Sequence, residues 1–313
     1  MNKKFLERLN NAKIPCDAVS TNWLTERQIT LNILRTDLLD PLVSGNKWYK
    51  QKGHLEYAFA NSYTIALSFG GAWSNHIHAL AASGYGIGFP TIGVIRGERS
   101  ETLSATLKDA EAMGMRLHFV SRSDYRLKNT TEFRKQLLAD LGLSADEVWI
   151  VPEGGSGELG VIGCEDILPA GDINPEDYRQ IWLASGTGAT TAGVIRSVPD
   201  TVLVRSVAVL KGASWMVGEI AQYLPEGRGG WQVETDAHCG GYAKTTPELL
   251  AFIEQFSAEA GIPLDQVYTG KMMFALYSAV MSGEIAEGSR LLAIHTGGLQ
   301  GRRGLKSVAE NLA

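Results

Sequence analysis

Lys47 is the residue best placed in this sequence for covalent chemistry with an aldehyde. It follows a Gly45-Asn46 turn and precedes an amphipathic run that predicts a helix from Trp48 to Ala60. A lysine in the first turn of a helix lies near unpaired backbone N–H groups and the positive end of the helix dipole, which favour its neutral amine. A neutral lysine amine attacks aldehydes. Because most lone lysines are simply exposed, this interpretation depends on the other motifs.

A phosphate-binding turn is the second candidate. The run Ser185-Gly186-Thr187-Gly188-Ala189-Thr190 follows a predicted buried strand and opens a predicted helix. Its glycines allow a ligand to approach the backbone, and a helix start offers free N–H groups to an anion. The run lacks both the Lys-Ser/Thr ending of a nucleotide-triphosphatase loop and the spacing of a dinucleotide-binding turn. It therefore predicts either a phosphate site or a tight packing turn.

A second strand-to-helix turn carries a hydroxyl, an amide and an imidazole. These groups belong to Ser74, Asn75 and His76, which follow Gly70-Gly71. Together they could hold a carboxylate, although Ser74 and Asn75 also suit the N-cap of a helix. A serine hydrolase is disfavoured, because Ser74 lies outside a GxSxG elbow and an adjacent histidine does not by itself complete a triad.

Further candidates lie beside glycines in the last quarter of the chain. Tyr242 and Tyr268 are at glycine-bracketed turns, and Thr296 follows the last predicted strand, at the edge where α/β sheets bind ligands. Each could equally be a packing residue. Lys271 is expected on a helix surface.

Strands and helices alternate from about residue 64 onwards, which predicts parallel sheets covered by helices. A glycine-rich stretch from Pro152 to Gly157 separates two such series. We therefore expect two α/β units with a ligand-binding cleft between them. Residues 1–28 predict only a helix and loops.

The composition is that of a globular protein without a nucleic-acid or membrane partner. The 313 residues are 44% hydrophobic and 20% charged, with a net charge of -5 and no basic stripe. No apolar run approaches the length of a membrane span. The cysteines form no CxxC pair and predict free thiols in a reducing, cytoplasmic setting. The histidines show no ligand spacing, so no metal is expected.

Taken in order, these motifs resemble the 1-aminocyclopropane-1-carboxylate deaminase/D-cysteine desulfhydrase family of pyridoxal-phosphate enzymes, which have fold type II. The segments that carry the resemblance are Gly45-Asn46-Lys47 with Lys50, Ser74-Asn75-His76, Ala184 to Gly188, Val267 to Lys271, and Ile294 to Gly298. The resemblance implies pyridoxal 5′-phosphate as cofactor, a homodimer, and a two-domain α/β fold of the tryptophan synthase β type, with twisted, mainly parallel sheets flanked by helices. Residues 1–47 and 153–313 would form the large, cofactor-binding domain, and residues 48–152 a small inserted domain.

The resemblance also implies roles for the cofactor-binding residues. Lys47 would form the Schiff base with the cofactor aldehyde, and Lys50 would bind the cofactor phosphate together with residues 185–190. Asn75 would contact the ring hydroxyl. Thr269 and Thr296 would lie nearest the ring nitrogen, and both are neutral.

On the substrate side, the resemblance implies that the turn of Ser74, Asn75 and His76 binds the substrate carboxylate. The Ser74 hydroxyl could also share in proton transfer with the lysine. Tyr242 and Tyr268 correspond to the two active-site tyrosines of the family.

His76 and Thr269 match the desulfhydrase branch, since the deaminase has Gln and Glu at these positions. A neutral hydroxyl at the ring nitrogen gives a weaker electron sink than an acid, which favours α,β-elimination over cyclopropane opening. We therefore expect a lyase that releases an oxo acid and ammonia from a small amino acid, with the D-configuration favoured. Deaminase and racemase activities remain alternatives, as do a pyridoxal-phosphate-binding protein without turnover and a nucleotide-binding α/β protein.

Overall fold

The computed structural model describes residues 2–304 of the chain, which form two sheets covered by helices. The strands are β1 (Cys16–Val19), β2 (Thr30–Leu34), β3 (Ile65–Gly70), β4 (Thr91–Arg96), β5 (Arg116–Val120), β6 (Val148–Ile150), β7 (Gln180–Ser185), β8 (Leu203–Ala208), β9 (Trp231–Glu234) and β10 (Arg290–Ile294). The helices are α1 (Lys3–Asn10), α2 (Asn22–Glu26), α3 (Asn46–Ala60), α4 (Asn75–Ile87), α5 (Ala105–Ala112), α6 (Arg122–Tyr125), α7 (Thr131–Leu141), α8 (Glu158–Cys164), α9 (Ile167–Ala170), α10 (Ala189–Arg196), α11 (Trp215–Ala221), α12 (Pro247–Ala260) and α13 (Thr269–Met281). Short 3₁₀ turns connect several of them.

The larger sheet has the strand order β1-β2-β10-β7-β8-β9. Its strand pairs are parallel except at the edge, where β1 is antiparallel to β2. Alternate residues of β10 enter different cores: Leu292 and Ile294 pack on one face of the sheet, and Leu291 and Ala293 on the other. Because both faces are covered, the central strands are continuous apolar runs in the sequence.

The smaller sheet has the order β5-β4-β3-β6, and its strands are parallel throughout. Helix α3 begins beside the end of the larger sheet and packs against α8. Strands β3 and β7 end at Gly70 and Ser185. The turns after these two strands are therefore the two strand-to-helix turns singled out in the sequence, as expected for ligand binding at the carboxyl ends of parallel strands.

The predicted alternation of strands and helices and the mainly parallel sheets are confirmed. The expectation of only a helix and loops before residue 28 is wrong, because β1 pairs with β2 there. Strands β1 and β9 are short and only partly buried, so they have no apolar run for a pattern to detect. The strands of the smaller sheet all fall within residues 48–152, but the domain boundaries themselves stay a prediction. In the part of the chain that the structure describes, no helix is long and apolar enough to cross a membrane.

Candidate active site

Lys47 lies in the first turn of α3, as the sequence predicts. Its Nζ donates to Asn46 Oδ1 at 2.8 Å and lies 5.9 Å from the centre of the Tyr268 ring. Burial lowers the pKa of Lys47 from 10.5 to about 8, against the opposing influence of Cys164 and Asp265. Part of the side chain is still open to solvent, although protein surrounds it on most sides. A nucleophilic amine near neutral pH is therefore available to a ligand at this point.

The turn before Lys47 is fixed to the end of β10. Gly45 has a φ of 73°, and a Cβ added there would lie 2.1 Å from the backbone oxygen of Thr296. The Asn46 N–H donates to that oxygen at 3.2 Å, and Asn46 Nδ2 donates to Thr190 Oγ1 at 2.8 Å. Only glycine allows so close an approach of the two backbone segments. Through Asn46, residues Thr190 and Thr296, which are distant in the sequence, fix the position of Lys47.

The 185–190 turn and Lys50 form a cradle suited to a phosphate. Lys50 Nζ donates to Thr187 Oγ1 at 2.9 Å. Burial, together with the charge of Lys47, lowers the pKa of Lys50 to about 7. Within the described residues, the backbone N–H groups of Gly186, Thr187 and Gly188 donate to no other protein group. Free N–H groups at the start of α10, beside an amine, are the donors that a phosphate needs.

Two hydroxyls of this turn point elsewhere. Ser185 Oγ lies 3.2 Å from Thr191 Oγ1, in the buried interior of the larger unit. Thr190 Oγ1 accepts from Asn46, and so contributes to the position of Lys47 rather than to the cradle. Thr187 is thus the hydroxyl of the turn that lies beside the amine of Lys50.

Asn75 and Ser74 lie at the start of α4. Ser74 is its N-cap and accepts from the Ile77 N–H at 3.3 Å. Asn75 Oδ1 is buried and has no hydrogen-bond partner among the described residues. Its Nδ2 would lie 3.1 Å from a Cβ added to Gly298, so Asn75 faces the turn after β10. A buried amide oxygen without a partner is rare and points to a ligand group.

His76 is enclosed by the smaller unit. Its Nε2 lies 2.7 Å from Ser68 Oγ, and Ser68 gives its own proton to the backbone oxygen of Val151. The Nε2 atom must therefore carry the imidazole proton, and Nδ1 accepts from Gln51 Nε2 at 3.3 Å. Burial, followed by the charge of Lys50, lowers the pKa of His76 well below its usual value. The ring is neutral, and both of its nitrogens are hydrogen-bonded within the protein. The contact of His76 with substrate stays a prediction.

The two predicted tyrosines meet at one side of Lys47. The Tyr268 hydroxyl lies 3.4 Å from that of Tyr242, and the ring planes are inclined by 73°. Tyr242 is 46% exposed, whereas Tyr268 is half-buried against Gly186. Burial, together with the neighbouring Tyr242, raises the pKa of Tyr268 well above its usual value, so this hydroxyl keeps its proton.

Asp265 is a residue of the site region that the sequence analysis missed. It is 2% exposed and accepts from the Thr269 hydroxyl at 2.7 Å. Thr269 Oγ1 also accepts from the Asp265 N–H at 2.9 Å. The proton of this hydroxyl is therefore already used, and Thr269 can offer a ligand only a lone pair. The signal available was the spacing of an Asp four residues before a helix that starts with a threonine, which is common to many capped helices.

Lys271 contradicts the expectation of a helix-surface lysine. It is fully buried in α13, and its Nζ donates to the backbone oxygen of Gly241 at 2.7 Å. Burial lowers its pKa, while Cys239 and Asp265 act in the opposite direction. Sequence periodicity places a charged residue outside by default, and only the tertiary contact reveals the buried acceptor.

These residues fit pyridoxal 5′-phosphate. The amine of Lys47 lies between the cradle of Lys50 and Thr187 and the pair of tyrosines. The unpartnered oxygen of Asn75 lies on the facing unit. An aldehyde, a phosphate and a polar ring are the three features that such a set of donors can bind together.

Comparison with known proteins supports the same assignment. No family model matches the chain. It is 26% identical over 290 residues to the mitochondrial bifunctional D-cysteine desulfhydrase/1-aminocyclopropane-1-carboxylate deaminase of Arabidopsis thaliana, covering 86% of this chain and 72% of that protein. It is 25% identical over 290 residues to the D-cysteine desulfhydrase of Yersinia pestis, covering 85% and 86%.

A solved structure described as a 1-aminocyclopropane-1-carboxylate deaminase homologue superposes with a TM-score of 0.78. It is 25% identical in sequence, and the match covers 96% of both chains. The fold class and the cofactor predicted from the sequence are confirmed. The chain is therefore similar in sequence and in fold to proteins named 1-aminocyclopropane-1-carboxylate deaminase and D-cysteine desulfhydrase, and it has the α/β fold of the type II pyridoxal-phosphate enzymes.

Proposed function

We propose that this protein is a pyridoxal-phosphate-dependent lyase that removes the α-proton and the β-substituent of a small amino acid, with the D-configuration favoured. The β-substituent leaves with a proton, and water hydrolyses the unsaturated amine that remains to an oxo acid and ammonia. The observation that carries the proposal is the Lys47 amine, whose pKa burial lowers to about 8, beside a phosphate cradle and 5.9 Å from the Tyr268 ring. The desulfhydrase and deaminase names of its relatives support the same reaction class.

The cofactor is held from three directions. Lys47 would be its covalent anchor, and Lys50, Thr187 and the free N–H groups of the 185–190 turn would bind its phosphate. From the smaller unit, the unpartnered Asn75 Oδ1 would accept from the ring hydroxyl. When bound, the cofactor withdraws electrons from the substrate α-carbon. The protein has to place that carbon and move its proton.

The substrate carboxylate is bound at the start of α4, where Ser74 and Asn75 stand beside free helix N–H groups. Lys47 would carry the α-proton away from the substrate, because an amine with a pKa near 8 can take up a proton and give it up again near neutral pH. Tyr268 retains its proton and can donate it to a departing group. Tyr242 lies within reach of the Tyr268 hydroxyl and can share that proton.

One contact favours a second candidate, 1-aminocyclopropane-1-carboxylate deamination. Elimination is favoured over ring opening if the Thr269 hydroxyl donates to an unprotonated ring nitrogen. In the structure that proton goes to Asp265, so Thr269 could only accept from a protonated nitrogen. A protonated ring is the stronger electron sink, which ring opening requires.

A substrate panel decides between these reactions. D-cysteine, D-serine, β-chloro-D-alanine and 1-aminocyclopropane-1-carboxylate are each added to the holoenzyme, and oxo acid and ammonia are measured. Elimination predicts turnover of the first three; turnover of the cyclopropane amino acid alone would establish the second candidate. Chiral analysis of unreacted D-substrate identifies a racemase. Absorbance spectra before and after borohydride, with mass mapping, identify the modified lysine; a colourless protein would reject the cofactor and the proposal together.

Three further expectations rest on the resemblance and composition. A homodimer is proposed, which light scattering of the purified protein can test. A cytoplasmic location is proposed, since Cys16, Cys164 and Cys239 are all free thiols. Domain boundaries are proposed at residues 47/48 and 152/153, because at each of these points the chain passes from one sheet to the other.

A further inference from the structure

A buried lysine lies next to the tyrosine pair and has no part in the mechanism above. Lys271 is 0% exposed, and the hydrogen bond of its Nζ goes to the backbone oxygen of Gly241 at 2.7 Å. Gly241 immediately precedes Tyr242. The amine therefore connects α13, which begins just after Tyr268, to the segment that carries the other tyrosine.

Residues 238–244, here called the Tyr242 segment, have an unusual backbone. Cys239 and Ala243 have φ values of 49° and 54°, and Gly240 and Gly241 have 92° and 119°. Residues other than glycine adopt such values only where the surroundings fix them. The Tyr242 segment belongs to no helix or strand, so this conformation needs contacts from outside.

Few contacts of that kind exist. Within the described residues, two hydrogen bonds join the Tyr242 segment to another element: Lys271 to Gly241, and the tyrosine hydroxyls at 3.4 Å. The second is long for an O–H···O hydrogen bond, and Tyr242 is 46% exposed. The lysine is thus the strong connection.

The choice of lysine follows from the environment. The side chain must pass through the buried side of α13, which a methylene stem does well, and then supply a donor to a carbonyl. Burial lowers the pKa of the amine, while Cys239 and Asp265 favour its charged form. Both the charged and the neutral amine can donate, so the contact survives either state.

We propose that Lys271 is a positioning residue, which holds the Tyr242 segment so that the Tyr242 hydroxyl stays against that of Tyr268. The inference rests on the proposed function, because it assigns the tyrosine pair to the active site. It places Lys271 outside direct contact with substrate, acting through Tyr242 alone.

The decisive experiment is a double-mutant cycle on the holoenzyme with Lys271→Met and Tyr242→Phe. Lys271→Met keeps the stem and removes the donor, and we expect kcat to fall about 10- to 100-fold with KM little changed. Adding Lys271→Met to Tyr242→Phe should cause no further loss, because both changes break the same unit. Losses that multiply in the double variant would overturn the proposal. If Lys271→Met does not fold, Lys271→Gln, which reaches less far, takes its place under the same criterion.

Hydrogen exchange supplies a readout that does not need turnover. The amides of Gly240, Gly241 and Lys244 bond within the Tyr242 segment and should exchange faster in Lys271→Met. Lys244→Met, an exposed lysine on the same segment, is the matched control and should exchange and turn over like the wild type. Unchanged exchange in Lys271→Met contradicts the inference. A wild type inactive on every substrate would instead reject the proposed function, and the exchange result would still stand.

Discussion

The two sides of Lys47 are built differently. On the phosphate side, Lys50 is 3% exposed, donates to Thr187, and lies where α3, the 185–190 turn and Gly154 meet. On the tyrosine side, Tyr242 is 46% exposed and lies on a segment without regular structure, 3.4 Å from its partner hydroxyl. One side is buried and hydrogen-bonded within the protein, and the other depends on a few contacts.

This difference suggests a division of labour. A buried, preorganised cradle gives affinity, because its donors need no rearrangement to meet an anion. A hydroxyl held by few contacts affects rate, because proton transfer depends on its position in the transition state. Changes on the phosphate side should therefore weaken cofactor binding, and changes on the tyrosine side should lower kcat.

The largest effect is expected between the two sides, at Lys47 itself. Lys47→Ala removes both the covalent anchor and the proton carrier, and we expect kcat to fall on the order of 10⁴-fold. The cofactor should still bind through the phosphate cradle, but gel filtration should remove it. The control is Lys52→Ala, a lysine of the same helix that pairs with Asp166. Retained activity in Lys47→Ala would show that Lys47 is not the reactive amine, and the comparison of its two sides would then no longer apply.

Next is the tyrosine side. Tyr268→Phe removes a hydroxyl that keeps its proton, since burial raises its pKa, and we expect kcat to fall about 10²-fold. Cofactor affinity, measured by absorbance titration, should stay within about twofold of the wild type, since no phosphate contact is lost. A large loss of cofactor affinity with a normal kcat in Tyr268→Phe would show that the tyrosine side contributes to cofactor binding and not to rate.

The phosphate side should show the opposite pattern. Lys50→Met removes a charge-assisted donor, and we expect cofactor affinity to fall about 10- to 100-fold while kcat at saturating cofactor changes little. The same titration measures it, with Lys52→Met as the control on the same helix. Normal affinity in Lys50→Met would mean that the cradle binds something other than the phosphate.

The smallest effect concerns stability of the cofactor-free protein. The pKa of Lys50 is lowered from 10.5 to about 7, so above pH 7 the folded state has lost a proton that the unfolded state keeps up to pH 10.5. Raising the pH through this window therefore favours folding, by about 1–3 kcal/mol between pH 7 and 9. Lys47, with a pKa near 8, acts in the same direction.

Urea unfolding at pH 7 and pH 9 measures this effect. The free energy of unfolding should increase with pH in the wild type, and the increase should be smaller in Lys50→Met. Equal increases in both proteins would show that Lys50 is charged in the folded state, and that the cradle holds a cation before the phosphate arrives.

Sequence patterns predicted the site where chemistry and local structure coincide. Lys47 and the 185–190 turn both lie at helix starts, and the turns after β3 and β7 are marked by glycines. Sequence patterns failed where the burial of a side chain depends on a partner that is distant in the sequence. Lys271 was assigned to the surface, and Asp265 was overlooked, because nothing local distinguishes a buried donor or acceptor from an exposed one.

The sequence by itself determined the succession of strands and helices, the glycine turns and the type of reactive group, because these depend on neighbours along the chain. Only the tertiary structure decided what each hydroxyl contacts: Thr187 accepts from Lys50, Thr190 accepts from Asn46, and Thr269 donates to Asp265. The physical reason is that a hydroxyl can both donate and accept a hydrogen bond, and the fold decides which donors and acceptors lie within its reach.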